Sequence, residues 1–313
     1  MQYLKIFLAG LLLAIPGLSA ADASDVPGPA NWYLHVDLKR MKAESASKDI
    51  YAWLDQNAFA NVKKESGLDL AKELDSLTAY SLQDQGPVIL LEGNISQATK
   101  DKVMLLIAAV GDLRPQKSSG KTYYHFAGVE GDADDVDNSG GNIEIDIGSL
   151  EDEAWLSLAL RNKILVTSSE VQMQELLAND GKISRGHGHK GALVVLTAEK
   201  TLLQAGMNSG SMGDDGDSGW ESNILRNAQQ IAIIVAAKAN KLSIKATLIT
   251  KEPHMAASLA SVARGLISLV AFDDDIDSEA IAVLQGTKVE ATGNALTISL
   301  SIDPEVIVAA LND

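Results

Sequence analysis

Four times along this chain, two short runs of apolar and β-branched residues stand side by side around a tight turn. Leu77–Leu82 and Val88–Glu92 flank the turn 83–87, and Trp155–Leu160 and Ile164–Thr167 flank Arg161-Asn162-Lys163. Ile231–Ala237 and Leu242–Ile249 turn at Asn240-Lys241, and Lys288–Thr292 and Leu296–Ile302 turn through Gly293-Asn294. Loops this short join only antiparallel strands, because a parallel pair needs a crossover of about a dozen residues or more. The pattern therefore commits the chain to antiparallel sheet.

Helical periodicity fills the gaps between hairpins. Ile50, Trp53, Leu54, Ala58 and Val62 recur on one face, with Ser47 as cap and Gly67 as stop. Ser96 caps a second helix with the stripe Val103, Leu106, Ile107 and Val110, ended by Gly111. Ser169 to Gln172 spells a capping box for a helix reaching Leu177. Thr250 caps the long segment EPHMAASLASVARGLISLVAF, with Pro253 in its first turn. Its small residues Ala256, Ala257, Ala260, Ala263 and Gly265 suit close packing on a sheet. Asp303-Pro304 opens the last helix. The expected fold is α+β: antiparallel sheets covered by helices.

The order strand, helix, hairpin, helix, hairpin, helix is met twice, which predicts two related halves. The half-ends SSEVQMQELLAND and IDPEVIVAALND align Glu170-Val171 with Glu305-Val306 and Leu176 with Leu311. The expected organisation is a signal peptide over 1–21, a first half over 28–183, a Gly/His linker over 184–191 and a second half over 192–313. Lys5 precedes the apolar run Ile6–Ile15, Pro16-Gly17 breaks it, and cleavage after Ala21 leaves Ser19 at −3. The expected location is periplasmic or secreted. The chain has no Cys, so a lipidated Cys, disulfides and thiolate metal sites are excluded. The net charge of −16 argues against nucleic acid and against anionic lipid. Aromatic residues make up 4%, few for a base- or sugar-stacking surface.

The stretches WYLHVDLKRM (32–41), GLDL with LDSLTAYS (67–70 and 74–81) and GNALTISLSIDPEVIVAAL (293–311) resemble those of uncharacterised exported bacterial proteins. The resemblance implies a periplasmic or secreted α+β protein with duplicated halves. It brings no catalytic or binding residue with it.

The chemical leads are few. DVDNSGGNIEID (135–146) approaches a calcium loop, with Asp135, Asp137 and Ser139 at positions 1, 3 and 5 and Gly140 at position 6. Both flanks read as strands, Asn142 replaces the apolar position 8, and Asp146 replaces the bidentate Glu. Asp135, Asp137 and Ser139 are thus candidates for weak calcium only, against the plainer reading of a solvated Asp/Asn/Gly loop. No other cofactor is expected. Asp214–Gly219 and Asp273–Glu279 are further acidic loops, and His187 and His189 form an H-x-H without a third ligand. Ser45–Lys48 and Ser118–Lys121 spell S-x-x-K without companion motifs, and Gly120-Lys121-Thr122 imitates the end of a phosphate loop before a strand rather than a helix. No catalytic residue is assigned. The expected function is a soluble, non-catalytic binding module of the bacterial envelope, with an unknown protein, peptide or envelope component as partner. The alternatives are a hydrolase with its site between the halves, read from His125 or His254 beside a Ser and an Asp, and a calcium-stabilised structural module.

Overall fold

The computed structural model describes residues 30–82, 85–128, 153–182, 191–200, 228–270 and 278–312. The expected signal peptide lies outside the described residues. So do the calcium candidates Asp135, Asp137 and Ser139, the 206–219 loop, His187 and His189, and Asp273–Asp277.

Strand β1 (Ala30–Asp37) runs into α1 (Leu38–Ala43), capped by the Asp37 carboxylate, which accepts from Arg40 N at 2.8 Å. A helical path follows as α2 (Lys48–Leu54), a π-turn (Asp55–Phe59) and α3 (Ala60–Ser66), stopping at Gly67 with φ 68°. The expected stop is thus found at its residue, in the left-handed conformation that glycine adopts without penalty. Next come α4 (Leu70–Glu73), β2 (Leu74–Leu82), β3 (Gly86–Gly93), α5 (Gln97–Val110), β4 (Gly111–Ser118) and β5 (Lys121–Gly128). After these come β6 (Glu153–Ser157), β7 (Lys163–Thr167) and α6 (Glu170–Ala178). The remaining elements are β8 (Ala192–Glu199), β9 (Ala228–Lys238), β10 (Lys241–Thr250), α7 (Pro253–Val270), α8 (Ser278–Gln285), β11 (Lys288–Thr292), β12 (Ala295–Ile302) and α9 (Pro304–Asn312).

The described chain packs as two compact units, residues 30–51 with 191–312 and residues 52–182. In the first, the strand order is β11-β12-β10-β9-β8-β1, and in the second β2-β3-β7-β6-β5-β4. Every pairing within each unit is antiparallel. The α+β class with antiparallel sheet is therefore present. The first unit's core gathers Ala228, Ile231, Leu248, Val289 and Leu296 from the sheet against Ala256 and Ala260 of α7. The second buries Val88, Leu90, Tyr123, Leu156 and Leu165 with Met173, Leu176 and Leu177 of α6.

Two local expectations are corrected, and one unassigned segment gains an element. The segment after Gly111 is a strand, β4. Residues 119 and 120 turn it into β5 with φ of 52° and 75°, the paired positive values of a primed hairpin turn. The β9–β10 turn is centred on Ala239 and Asn240 (φ 50° and 63°), one residue before the expected position. The expected Ser169 capping box does not form: Ser169 makes no side-chain cap, and Gln172 is turned into the core.

Candidate functional site

Helix α7 is apolar around more of its circumference than the sheet covers. Ala256 and Ala260 are fully buried, and Leu259, Ala263 and Ile267 pack beside them. The next row of the helix, Val262, Leu266 and Leu269, faces outward with 49%, 41% and 69% of its surface exposed. These positions, four and three residues apart, form one continuous ridge. Ala257 and Gly265, expected in the packing face, are exposed.

Little polarity interrupts this ridge. The hydroxyls of Ser261 and Ser268 donate to the carbonyls of Ala257 and Arg264 four residues back, at 3.0 and 2.9 Å. They therefore satisfy themselves on the helix backbone. Arg264 is the one charged residue between 255 and 270. Its Nε and Nη2 donate to Val289 O at 3.2 and 2.8 Å, tying α7 to β11. Thr250, expected as the helix cap, instead donates its hydroxyl to Glu252 O and Asn294 O at 2.8 and 3.0 Å, bracing the β11–β12 turn.

In the second unit, α5 reverses the usual relation of residue type and burial. Lys100 is 5% exposed while Leu105 is 71% exposed, and Leu106, read as part of the inner stripe, is also exposed. The start of α5 is held tightly. Glu73 accepts the Ser96 N–H at 3.0 Å and the hydroxyls of Ser96 and Thr99 at 2.8 and 2.9 Å, and Ser96 Oγ caps Thr99 N at 3.2 Å. The expected Ser96 cap is thus in place, reinforced by a carboxylate suited to a helix N-terminus.

A second polar network joins β4, β5 and α6. Tyr123, almost fully buried, lies 2.5 Å from Glu170 Oε1, 2.9 Å from Gln116 Oε1 and 3.1 Å from Gln174 Nε2, which donates to it. The phenol has one proton, which it keeps and donates to the carboxylate at the shorter distance. Gln116 Oε1 is the second, more distant acceptor for that O–H. Burial pushes the Tyr123 phenol above the usual tyrosine value of 10.0, and the hydrogen bond to Glu170 adds to it. A phenol kept neutral when folded, but free to ionise when unfolded, removes stability as pH climbs past 10.0. Wild type should accordingly lose melting temperature relative to Tyr123→Phe between about pH 10 and 11.5, and match its pH trend below about 9. A locked phenol of this kind is a structural brace, not a nucleophile.

His125, two residues along the same face of β5, lies against its cross-strand partner Trp155 with ring centroids 5.0 Å apart. Trp155 Nε1 and both amide atoms of Gln172 are buried without a hydrogen-bond partner among the described residues. Gln172 is only 2% exposed, so its unmet amide costs about 1–3 kcal/mol. Gln172→Met, similar in volume, should raise the melting temperature of the full chain by a few degrees. A fall in the scanning-calorimetry midpoint would show that the amide is needed where it stands.

The remaining sequence leads are dispersed. His254 sits exposed at the start of α7, with Nδ1 3.2 Å from Glu252. Ser47 is buried and donates to Met41 O at 3.0 Å, while Ser45 donates to Asn240 at 2.6 Å. Lys121, the end of the phosphate-loop imitation, contacts Leu177 O and Asp180, both at 2.7 Å, at the C-terminus of α6. Neither S-x-x-K pattern is therefore arranged as a catalytic pair. No group of three His, Asp or Glu side chains that could hold a metal lies among the described residues. No helix among them is long and apolar enough to cross a membrane.

No family model and no curated protein matches the chain. Solved structures of TP0453 are similar to it at low identity. Crystal form IV has a TM-score of 0.48 at 13% identity, covering 97% of this chain and 100% of that one. Form III has a TM-score of 0.46 at 11% identity, with 94% and 98% covered. Form I has 0.42 at 10%, with 94% and 97% covered. A likeness at this level speaks to no residue of the site.

Proposed function

We propose that the protein is an exported, non-catalytic binding module of the bacterial envelope, built of two related halves, which holds a protein partner on the outer face of α7. The carrying observation is the exposed ridge Val262, Leu266 and Leu269 on a helix whose opposite face is already packed. An uncharged ridge with self-satisfied serines suits the apolar centre of a protein interface. The acidic chain, net −16, argues for a protein rather than an anionic lipid surface as its occupant.

The test is capture from periplasmic extract by the full chain and by Val262→Ser/Leu266→Ser/Leu269→Ser, with binding to anionic vesicles as a second arm. The proposal expects one protein that wild type retains and the variant loses at least about tenfold, consistent with loss of a central apolar cluster. Equal capture by both, or vesicle binding by wild type that the variant loses, contradicts it.

A further inference from the structure

Lys100 is the most unusual buried group in the described chain. Its Nζ donates to three main-chain oxygens of the β6–β7 turn: Leu158 O at 3.0 Å, Arg161 O at 3.1 Å and, closer still, Leu160 O. An ammonium has three donors and no acceptor, so donors and acceptors match one to one. No carboxylate pairs with Lys100 among the described residues. Converging carbonyl oxygens around a dehydrated monocation are the arrangement by which proteins replace a hydration shell.

We infer that the turn 158–161 is a monovalent-cation site that the chain fills with its own side chain, the Lys100 ammonium acting as a tethered ion that latches α5 to the β6–β7 hairpin. The geometry explains why a lysine, rather than a leucine, occupies a buried position of α5. Burial pushes Lys100 below the usual lysine value. That follows from desolvation without a countercharge, the situation in which only good hydrogen bonds keep a cation inside. The turn also carries consequences for its neighbours. Asn162 O receives the Gly93 N–H at 3.0 Å, and Lys163 bonds Gly181 O at 2.9 Å, so a displaced turn would disturb β3 and the end of α6.

The experiment compares wild type, Lys100→Ala and Lys100→Met as full chains in equal concentrations of ammonium, potassium and choline chloride. Lys100→Ala opens the site and should lose about 6 °C or more in choline, then recover at least half of that in ammonium and part in potassium. Lys100→Met fills the space without donors and should lose stability equally in all three salts. A wild-type melting point for Lys100→Ala, equal recovery in choline, or recovery of the methionine variant overturns the inference. Should Lys100→Ala fail to fold, the side-chain 1H–15N signal of wild type decides. One lysine ammonium protected from solvent exchange at pH 7, lost in Lys100→Met, supports the latch. Fast exchange at every lysine overturns it.

Discussion

Gly93→Ala is expected to lower the unfolding free energy of the 52–182 unit by about 3 kcal/mol, near the upper end of ordinary overpacking. The cause is not backbone conformation but backbone proximity. A Cβ at Gly93 would fall 2.0 Å from Glu73 O, 2.7 Å from Asp75 N and 2.9 Å from Leu74 Cα. No side chain can rotate away to relieve this, because all three atoms are main chain. Leu74 is the ladder partner of Gly93, and the Glu73 side chain holds Ser96 and Thr99 at the start of α5. Strain would therefore pass from β3 into α4 and α5. Urea unfolding should show the midpoint fall. Gly265→Ala is the control, because nothing lies within 4 Å of its added methyl and it sits inside α7. It should gain about 0.5–1 kcal/mol from helix propensity alone. A Gly93→Ala loss below about 0.5 kcal/mol would contradict the close β2–β3 packing.

The second large effect concerns the two faces of α7. Ala260→Leu should cost about 2–3 kcal/mol, since Ala260 is fully buried against Ile231, Leu248, Val289 and Leu296. Leu269→Ser, two and a half turns further along and on the opposite side of the helix, should change stability by no more than about 0.5 kcal/mol, as a surface substitution does. Both residues lie on one apolar helix, yet only Ala260 serves the fold. Equal losses at both sites would mean that the outer ridge is covered in solution and is not free for a partner.

The hairpins were legible because turn chemistry acts locally. Gly293-Asn294, for example, turns where the sequence places it, with Gly293 at φ 57°. Gly67 likewise stops its helix on local grounds. Strand β4 was not legible. Its sequence GDLRPQKS lacks apolar alternation because among the described residues it pairs on one side only, with β5, and an edge strand tolerates Pro115 and charge. Gln172 read as a capping residue because polar side chains usually face water, but tertiary packing turned it inward. Lys100 lay outside the apolar stripe read for its helix, since sequence does not show three carbonyls waiting at residue 158 and beyond.

The candidate site was half legible. The small residues of α7 marked a packing helix, and Ala256 and Ala260 do pack. Periodicity, however, gives only the width of an apolar stripe, not how much of it the sheet covers. The exposed ridge is the excess of one over the other, and that difference exists only in three dimensions.

Protein binding to the outer face of α7 is tested most directly by site-specific photo-crosslinking in the expressing cell from position 269, with position 257 on another exposed part of α7 as reference. One discrete protein adduct is expected from 269, absent from 257, and lost when Val262 and Leu266 are changed to Ser while the melting temperature holds. No adduct from 269, or the same adduct from both positions and from the Ser variant, would contradict a protein-binding role for the outer face of α7.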